Sequence, residues 1–234
     1  MGPGMCFPDN VVFTLWTVKT FILTYLLCHI PSLTMDVKKM SYGLGLVVVG
    51  DSKVGKTCLI QTYGTGEFPE DYEITVGHSY THNLRINKEK IEVNIHDTGG
   101  SREHAGVRHM LYNKADVFII CFSLIDRKTF QHVEQFWLNE LRRLRGDIAF
   151  VMVGCQSDMR QGINPYHVPK NEGMQLARDL GCHYYECSSV TQRNVKEVFD
   201  KAVMIAMDLE PRAMKEDSGC LGFLDGCFST SDKP

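Results

Sequence analysis

The stretch Gly50-Asp51-Ser52-Lys53-Val54-Gly55-Lys56-Thr57 constrains this chain more than any other. It has the form GxxxxGK[ST] and lies between an apolar run, Leu44 to Val49, and a segment of helical character. Such a loop works only where a strand ends and a helix begins, because its successive backbone N–H groups and the helix amino end must converge on one anion. In that setting Gly50, Asp51, Ser52, Lys53, Val54, Gly55 and Cys58 line or flank a phosphate cradle. Lys56 then reaches the β- and γ-phosphates, and the Thr57 hydroxyl ligates Mg²⁺. An ordinary glycine turn ahead of a helix requires neither the lysine nor the threonine.

The rest of the pattern supplies that setting. Leu44 to Val49, Ile91 to Ile95, Val117 to Phe122, Ile148 to Val153 and Tyr184 to Cys187 read as strands, four of them apolar enough to be buried on both faces, as parallel strands are. Between them, Phe130, Val133, Trp137, Leu141 and Leu144 recur at helical spacing, as do Val195, Val198, Phe199, Ala202, Ile205 and Ala206. The fold class expected is a doubly wound, mostly parallel α/β sheet flanked by helices, with its ligand beyond the carboxyl ends of the strands.

Three later segments fall at such strand ends. Asp97-Thr98-Gly99-Gly100 offers a carboxylate for Mg²⁺ and a glycine N–H for a γ-phosphate. Gln156-Ser157-Asp158 offers a carboxylate that can accept both the N1–H and the 2-amino group of guanine, which adenine cannot present. In Glu186-Cys187-Ser188-Ser189 a backbone N–H can donate to the guanine 6-oxygen. Alone, the last two segments read as capping turns; in this order after a phosphate loop they read as base-binding.

From about Gly43 to about Met207 the chain resembles the small GTPases of the Ras superfamily, and within it the Rho family. The resemblance rests on GKTCLI (Gly55 to Ile60), EFPEDYEITV (Glu67 to Val76), DVFIICFSL (Asp116 to Leu124), Gln156-Ser157-Asp158, LARDL (Leu176 to Leu180) and ECSSVTQ (Glu186 to Gln192). It implies a six-stranded G domain over residues 41–208 that binds GTP or GDP with Mg²⁺. It further implies that Phe68 is an aromatic lid on the base, Tyr72 a phosphate-side residue and Thr75 the switch I threonine. The metal set becomes Thr57, Thr75 and Asp97, and the hydrolytic positions become Thr75, Gly100 and Ser101. Effector proteins would bind switch I (Asp71 to Tyr80) and switch II (Asp97 to Tyr112), and an exchange factor would load the nucleotide.

The chain departs from the family at telling places. Ser101 stands where the family places the glutamine that orients the attacking water, and Ser52 where the phosphate loop usually has glycine. The pair resembles the Rnd-type branch, whose members stay GTP-bound. An arginine finger is worth ~10³ to 10⁵ in rate, so losing both glutamine and finger access leaves hydrolysis negligible. Gly77-His78-Ser79 replaces an aromatic, an acid and an amide on the effector surface, Tyr80 being retained; Arg160 to Pro169 is about ten residues shorter than the family's insert helix. Usual Rho effectors are therefore not expected.

The ends differ from the middle. Val11 to Ile30 holds one formal charge, Lys19, in twenty residues; eleven Val, Leu, Ile and Phe offer roughly -5 kcal/mol toward insertion, against roughly 3 for the lysine and more for the threonines and His29. Residues 1–40 therefore read as an extension carrying a marginal membrane anchor, as an unstructured or weakly amphipathic extension, or as a segment outside a protein begun at Met35 or Met40. Residues 209–234 lack a CaaX box and, from Asp208, hold six acidic against three basic residues; Cys220 and Cys227, among Leu221, Phe223, Leu224 and Phe228, are candidates for acylation. The net charge of -3 gives no general drive toward nucleic acid, and nine scattered cysteines in 234 residues fit a reduced compartment. The nine histidines show no metal spacing and read as ordinary polar or packing residues. A monomeric, cytoplasmic, membrane-associated signalling module held in its GTP form is expected; the alternatives are a slowly cycling GTPase and a nucleotide kinase, the last disfavoured by Asp158.

Overall fold

The computed structural model describes residues 43–69, 75–86, 89–162 and 164–207. The readings on residues 11–30, Asp71, Tyr72, Cys220 and Cys227 lie outside them. Among the described residues, no helix is long and apolar enough to cross a membrane.

Strand β1 (Leu44–Gly50) is buried at every residue. Because successive side chains point to opposite faces, Leu44, Leu46 and Val48 enter one core and Val47 and Val49 the other. The remaining strands are β2 (Gly77–Ile86), β3 (Glu89–Thr98), β4 (Val117–Ser123), β5 (Phe150–Cys155) and β6 (His183–Glu186). They form one sheet in the order β2-β3-β1-β4-β5-β6, antiparallel only between β2 and β3. Helices α1 (Lys56–Thr65) and α6 (Val195–Ala206) cover the first core. The second lies under α2 (Ala105–Tyr112), α5 (Lys170–Leu180) and a composite helix of α3 (Arg127–His132), a π-helical stretch (Val133–Leu138) and α4 (Asn139–Arg145). Burying a side chain such as Val48, Ile119 or Phe199 in these cores contributes ~1.5–3 kcal/mol.

β1 is flanked by β3 on one side and β4 on the other, with the chain leaving in opposite directions to reach them. The crevice beyond its carboxyl end is thus the topological switch point where doubly wound sheets bind ligands. The Gly50–Thr57 loop occupies it.

Three sequence expectations need correction. β2 was not anticipated, because its sequence GHSYTHNLRI alternates polar residues with Tyr80 and Leu84, which only lean on the core from the sheet edge. β5 and β6 begin and end away from the apolar runs: Ile148 and Ala149 precede β5, and Cys187 follows β6. Leu144, placed with the buried helical stripe, is 43% exposed. The π-helical stretch turns fewer degrees per residue than an α-helix, so the stripe that keeps Trp137, Leu138 and Leu141 inside has slipped past Leu144.

Candidate nucleotide and metal site

Gly50 ends β1 at φ +144°, and a side-chain carbon there would lie 2.1 Å from the Cys121 carbonyl oxygen, so only glycine can turn the chain beside β4. Lys53 and Gly55 also take positive φ, at 67° and 101°, which curls the loop. No side chain caps α1 and no acid stands in its first turn, leaving first-turn N–H groups to an anion. Lys56 is 6% exposed; its ammonium arches back over the loop and donates to Gly50 O at 2.8 Å and Asp51 O at 2.7 Å. Burial pulls its pKa down, with Asp97 opposing.

Three oxygens converge at the mouth of α1. Thr57 Oγ1 donates to Asp97 Oδ2 at 2.7 Å and lies 2.8 Å from Thr75 Oγ1. Asp97 is fully buried at the end of β3, and its Oδ1 has no hydrogen-bond partner among the described residues. Burial raises its pKa, while the Thr57 hydroxyl and Lys56 hold it down. A desolvated carboxylate with an orphaned oxygen, beside two hydroxyls, is a hard-oxygen set suited to Mg²⁺. The Thr57, Thr75 and Asp97 side chains would hold the ion, which when bound neutralises phosphate charge.

Gly100 closes the other side. A side-chain carbon on it would lie 2.4 Å from the Ser52 amide nitrogen, 2.5 Å from Gly50 O and 2.5 Å from the Asp51 carbonyl carbon. Its backbone therefore rests directly on the phosphate loop. Arg108, fully buried in α2, holds the turn from behind: Nη1 donates to Gly99 O at 2.8 Å and Ser101 O at 3.0 Å, and Nε and Nη2 donate to Glu140 at 3.0 and 3.1 Å. Tyr112 OH donates to the same carboxylate at 2.6 Å. Although burial opposes it, the Arg108 and Tyr112 hydrogen bonds hold Glu140 below the usual carboxylate range.

The base-reading side is assembled by contacts that sequence reasoning passed over. Gln156, at φ +63°, accepts from Ser123 Oγ and donates to Lys53 O at 3.4 Å, which ties this loop to the phosphate loop. Asp158 follows on a half-exposed turn. Arg160 donates to both oxygens of Glu186 at 2.6 Å, bracing the turn against the end of β6. Ser157 N donates to Cys187 O at 3.0 Å. Of the two serines expected to offer an amide, Ser188 N donates to Arg193 O at 3.1 Å, which leaves Ser189 as the other candidate for this role. Phe68 is 46% exposed, and Cys58 is half-buried with its thiol pKa raised by burial.

Two histidines read as ordinary packing residues instead touch the phosphate side. His104 Nδ1 lies 3.1 Å from Ser101 Oγ, and His132 Nδ1 lies 2.6 Å from Asp51 Oδ2. Asp51 Oδ1 accepts from Trp137 Nε1 at 2.8 Å. Neither pairing has a spacing signal, since His132 and Trp137 come from a helix about eighty residues away.

On the outer surface, exposed Val76 precedes β2, and Val107 and Met110 project from α2. Val107 Cγ1 lies only 3.2 Å from where a Gly77 side chain would begin, so the two switch segments abut in an apolar patch.

A strand-to-helix phosphate loop, a hard-oxygen metal set and base-reading turns at one switch point define a guanine-nucleotide site on a doubly wound sheet. The Ras family model matches residues 45–208, from within β1 to just beyond α6, and the chain belongs to the Ras family. It is a GTP-binding small GTPase switch; members of this family bind GTP or GDP, typically with Mg²⁺, and engage effectors and exchange factors.

Proposed function

We propose that this GTPase is a Rho-like, hydrolysis-poor switch that stays largely GTP-bound and acts by presenting Val76, Val107 and Met110 to effector proteins. One observation carries the reading. Gly100 rests on Ser52, and position 101, where the family places its glutamine, holds a serine whose hydroxyl meets His104 Nδ1, so the water-orienting amide is missing from that position. Ordering of the switches by a persistent γ-phosphate would keep the effector surface formed, with output set by abundance, modification or location. The Rho-like and Rnd-type character is supported by Ser52, Ser101 and the motif resemblance. Attachment to the cytosolic face of a membrane, through residues 11–30 or acylated Cys220 and Cys227, is supported by sequence alone. The resemblance implies a role in membrane traffic, cytoskeleton or polarity signalling, and the shortened Arg160 to Pro169 stretch with the changed residues after Val76 favours effectors other than the usual Rho partners.

The test is single-turnover phosphate release from protein loaded with GTP and Mg²⁺. A rate well below the unassisted ~10⁻⁴ s⁻¹, raised at least tenfold by Ser52→Gly with Ser101→Gln, supports the reading. A wild-type rate at or above that value, unchanged by the double substitution, overturns it. The second reading, a slowly cycling GTPase, draws on the Ser101–His104 contact.

A further inference from the structure

We infer that His104 is a positioning residue for the residual GTP hydrolysis of this site, acting through Ser101, which takes the place of the absent glutamine. The inference rests on the reading that the Gly50–Thr57 loop holds GTP with its γ-phosphate beside Gly100.

Ser101 is pinned at both ends. Its carbonyl accepts from the buried Arg108 guanidinium at 3.0 Å, and its hydroxyl meets His104 Nδ1 at 3.1 Å. The imidazole folds back over the turn, since a side-chain carbon on Gly99 would lie 2.4 Å from Nδ1 and 2.9 Å from His104 Cβ. His104 closes the short 3₁₀ turn Arg102–His104, which places its ring on the serine three residues earlier. Ser101 directly follows Gly100, whose backbone lies against Ser52 of the phosphate loop.

When the neutral ring carries its proton on Nε2, Nδ1 accepts the Ser101 proton, which leaves the Oγ lone pairs able to accept from a water. In the reaction that water's oxygen bonds to the γ-phosphorus, and the bond from γ-phosphorus to the β–γ bridging oxygen breaks. The electron pair leaves on GDP, and both water protons end on the released phosphate. Ser101 supplies orientation only, and His104 fixes the rotamer that allows it. A free serine hydroxyl rotates among three wells, so the imidazole removes the unproductive ones. One short hydroxyl replaces an amide with both donor and acceptor, and hydrolysis stays slow.

The test uses the full chain loaded with γ-labelled GTP and Mg²⁺, followed long enough to resolve rates well below ~10⁻⁴ s⁻¹. GTP dissociation is measured in parallel. His104→Ala and Ser101→Ala should each slow release about fivefold to tenfold, the double variant should be no slower than either single one, and His104→Asn, whose side chain can hold the same hydroxyl, should recover a substantial part. GTP dissociation should change less than twofold in all. Unchanged release in His104→Ala overturns the proposal, as do additive effects of the two alanines, or wild-type release equal to that of the double variant. Failure of wild-type protein to retain GTP at all refutes the nucleotide-site reading instead.

Discussion

Trp137 joins the phosphate loop to switch II: its indole N–H donates to Asp51 at 2.8 Å, and the Arg108 guanidinium sits 4.9 Å from the centre of its ring. Arg108 in turn holds Gly99 O and Ser101 O, so one buried side chain contacts the structures on both sides of the γ-phosphate position. Trp137→Phe keeps the ring contact but removes the donor to Asp51, a loss of about 1 kcal/mol for a partly exposed carboxylate. GDP dissociation should quicken about fivefold in Trp137→Phe, measured by release of a fluorescent analogue. His132→Ala, which loses an exposed partner of the same carboxylate, should show less than half that effect in logarithmic terms.

Asp97 gives opposite results with and without metal. Burial raises its folded pKa, so between the unfolded value and that raised value the unfolded chain releases its proton first, and stability falls as pH rises through this window. Without Mg²⁺ and nucleotide, Asp97→Asn should melt at or above the wild-type temperature and show a flatter pH profile there. With Mg²⁺ and GDP the order should reverse, the wild type gaining several degrees and the variant little. Thermal scans over pH 4 to 7, with and without EDTA, read both arms.

Glu140 behaves in the opposite sense. Its folded pKa lies below its unfolded one, so the stability it contributes is present above the unfolded value and is lost as pH falls through the folded value. Acidification below about pH 4.5 should therefore destabilise wild type more than Glu140→Gln. At neutral pH the variant should lose about 3 kcal/mol, because it leaves the fully buried Arg108 guanidinium short of its carboxylate. Urea unfolding at pH 7 and pH 4 separates the two effects.

Arg160→Ala tests the base-reading turn. Losing both bonds to the mostly buried Glu186 should free the segment around Asp158, weakening GTP and GDP about tenfold alike while leaving ATP rejection intact. Equilibrium titration with the three nucleotides would show it; an unchanged GTP affinity would contradict the bracing role.

Much of this was legible in the sequence for a physical reason. Parallel strands buried on both faces, such as β1 and β4, must be continuously apolar, and a phosphate loop must be built from glycine, lysine and threonine at fixed spacing. The structure brings Thr57, Thr75 and Asp97 together and sets Gly100 against the phosphate loop; the loop residues and the strand-end Asp97 and Gly100 were read from the sequence itself, Thr75 from the family resemblance. Contacts made between distant segments carry no such spacing. The His132 and Trp137 bonds to Asp51, the Arg160 brace on Glu186 and the Ser188 amide's bond to Arg193 depend on how helices and turns pack. β2 stayed hidden because an edge strand exposes one face, and Leu144 was misplaced because a π-helical stretch alters the period on which the reading relied.

The contact between Gly100 and the loop at Ser52 leaves residues 100 and 101 with unequal freedom to vary. A methyl group at position 100 meets backbone atoms that cannot rotate away, so even alanine there must push two chain segments apart. The Ser101 hydroxyl, one peptide further on, meets a histidine ring that can swing aside. Tuning of the GTP lifetime during the protein's history is thus open through residue 101 and closed through residue 100.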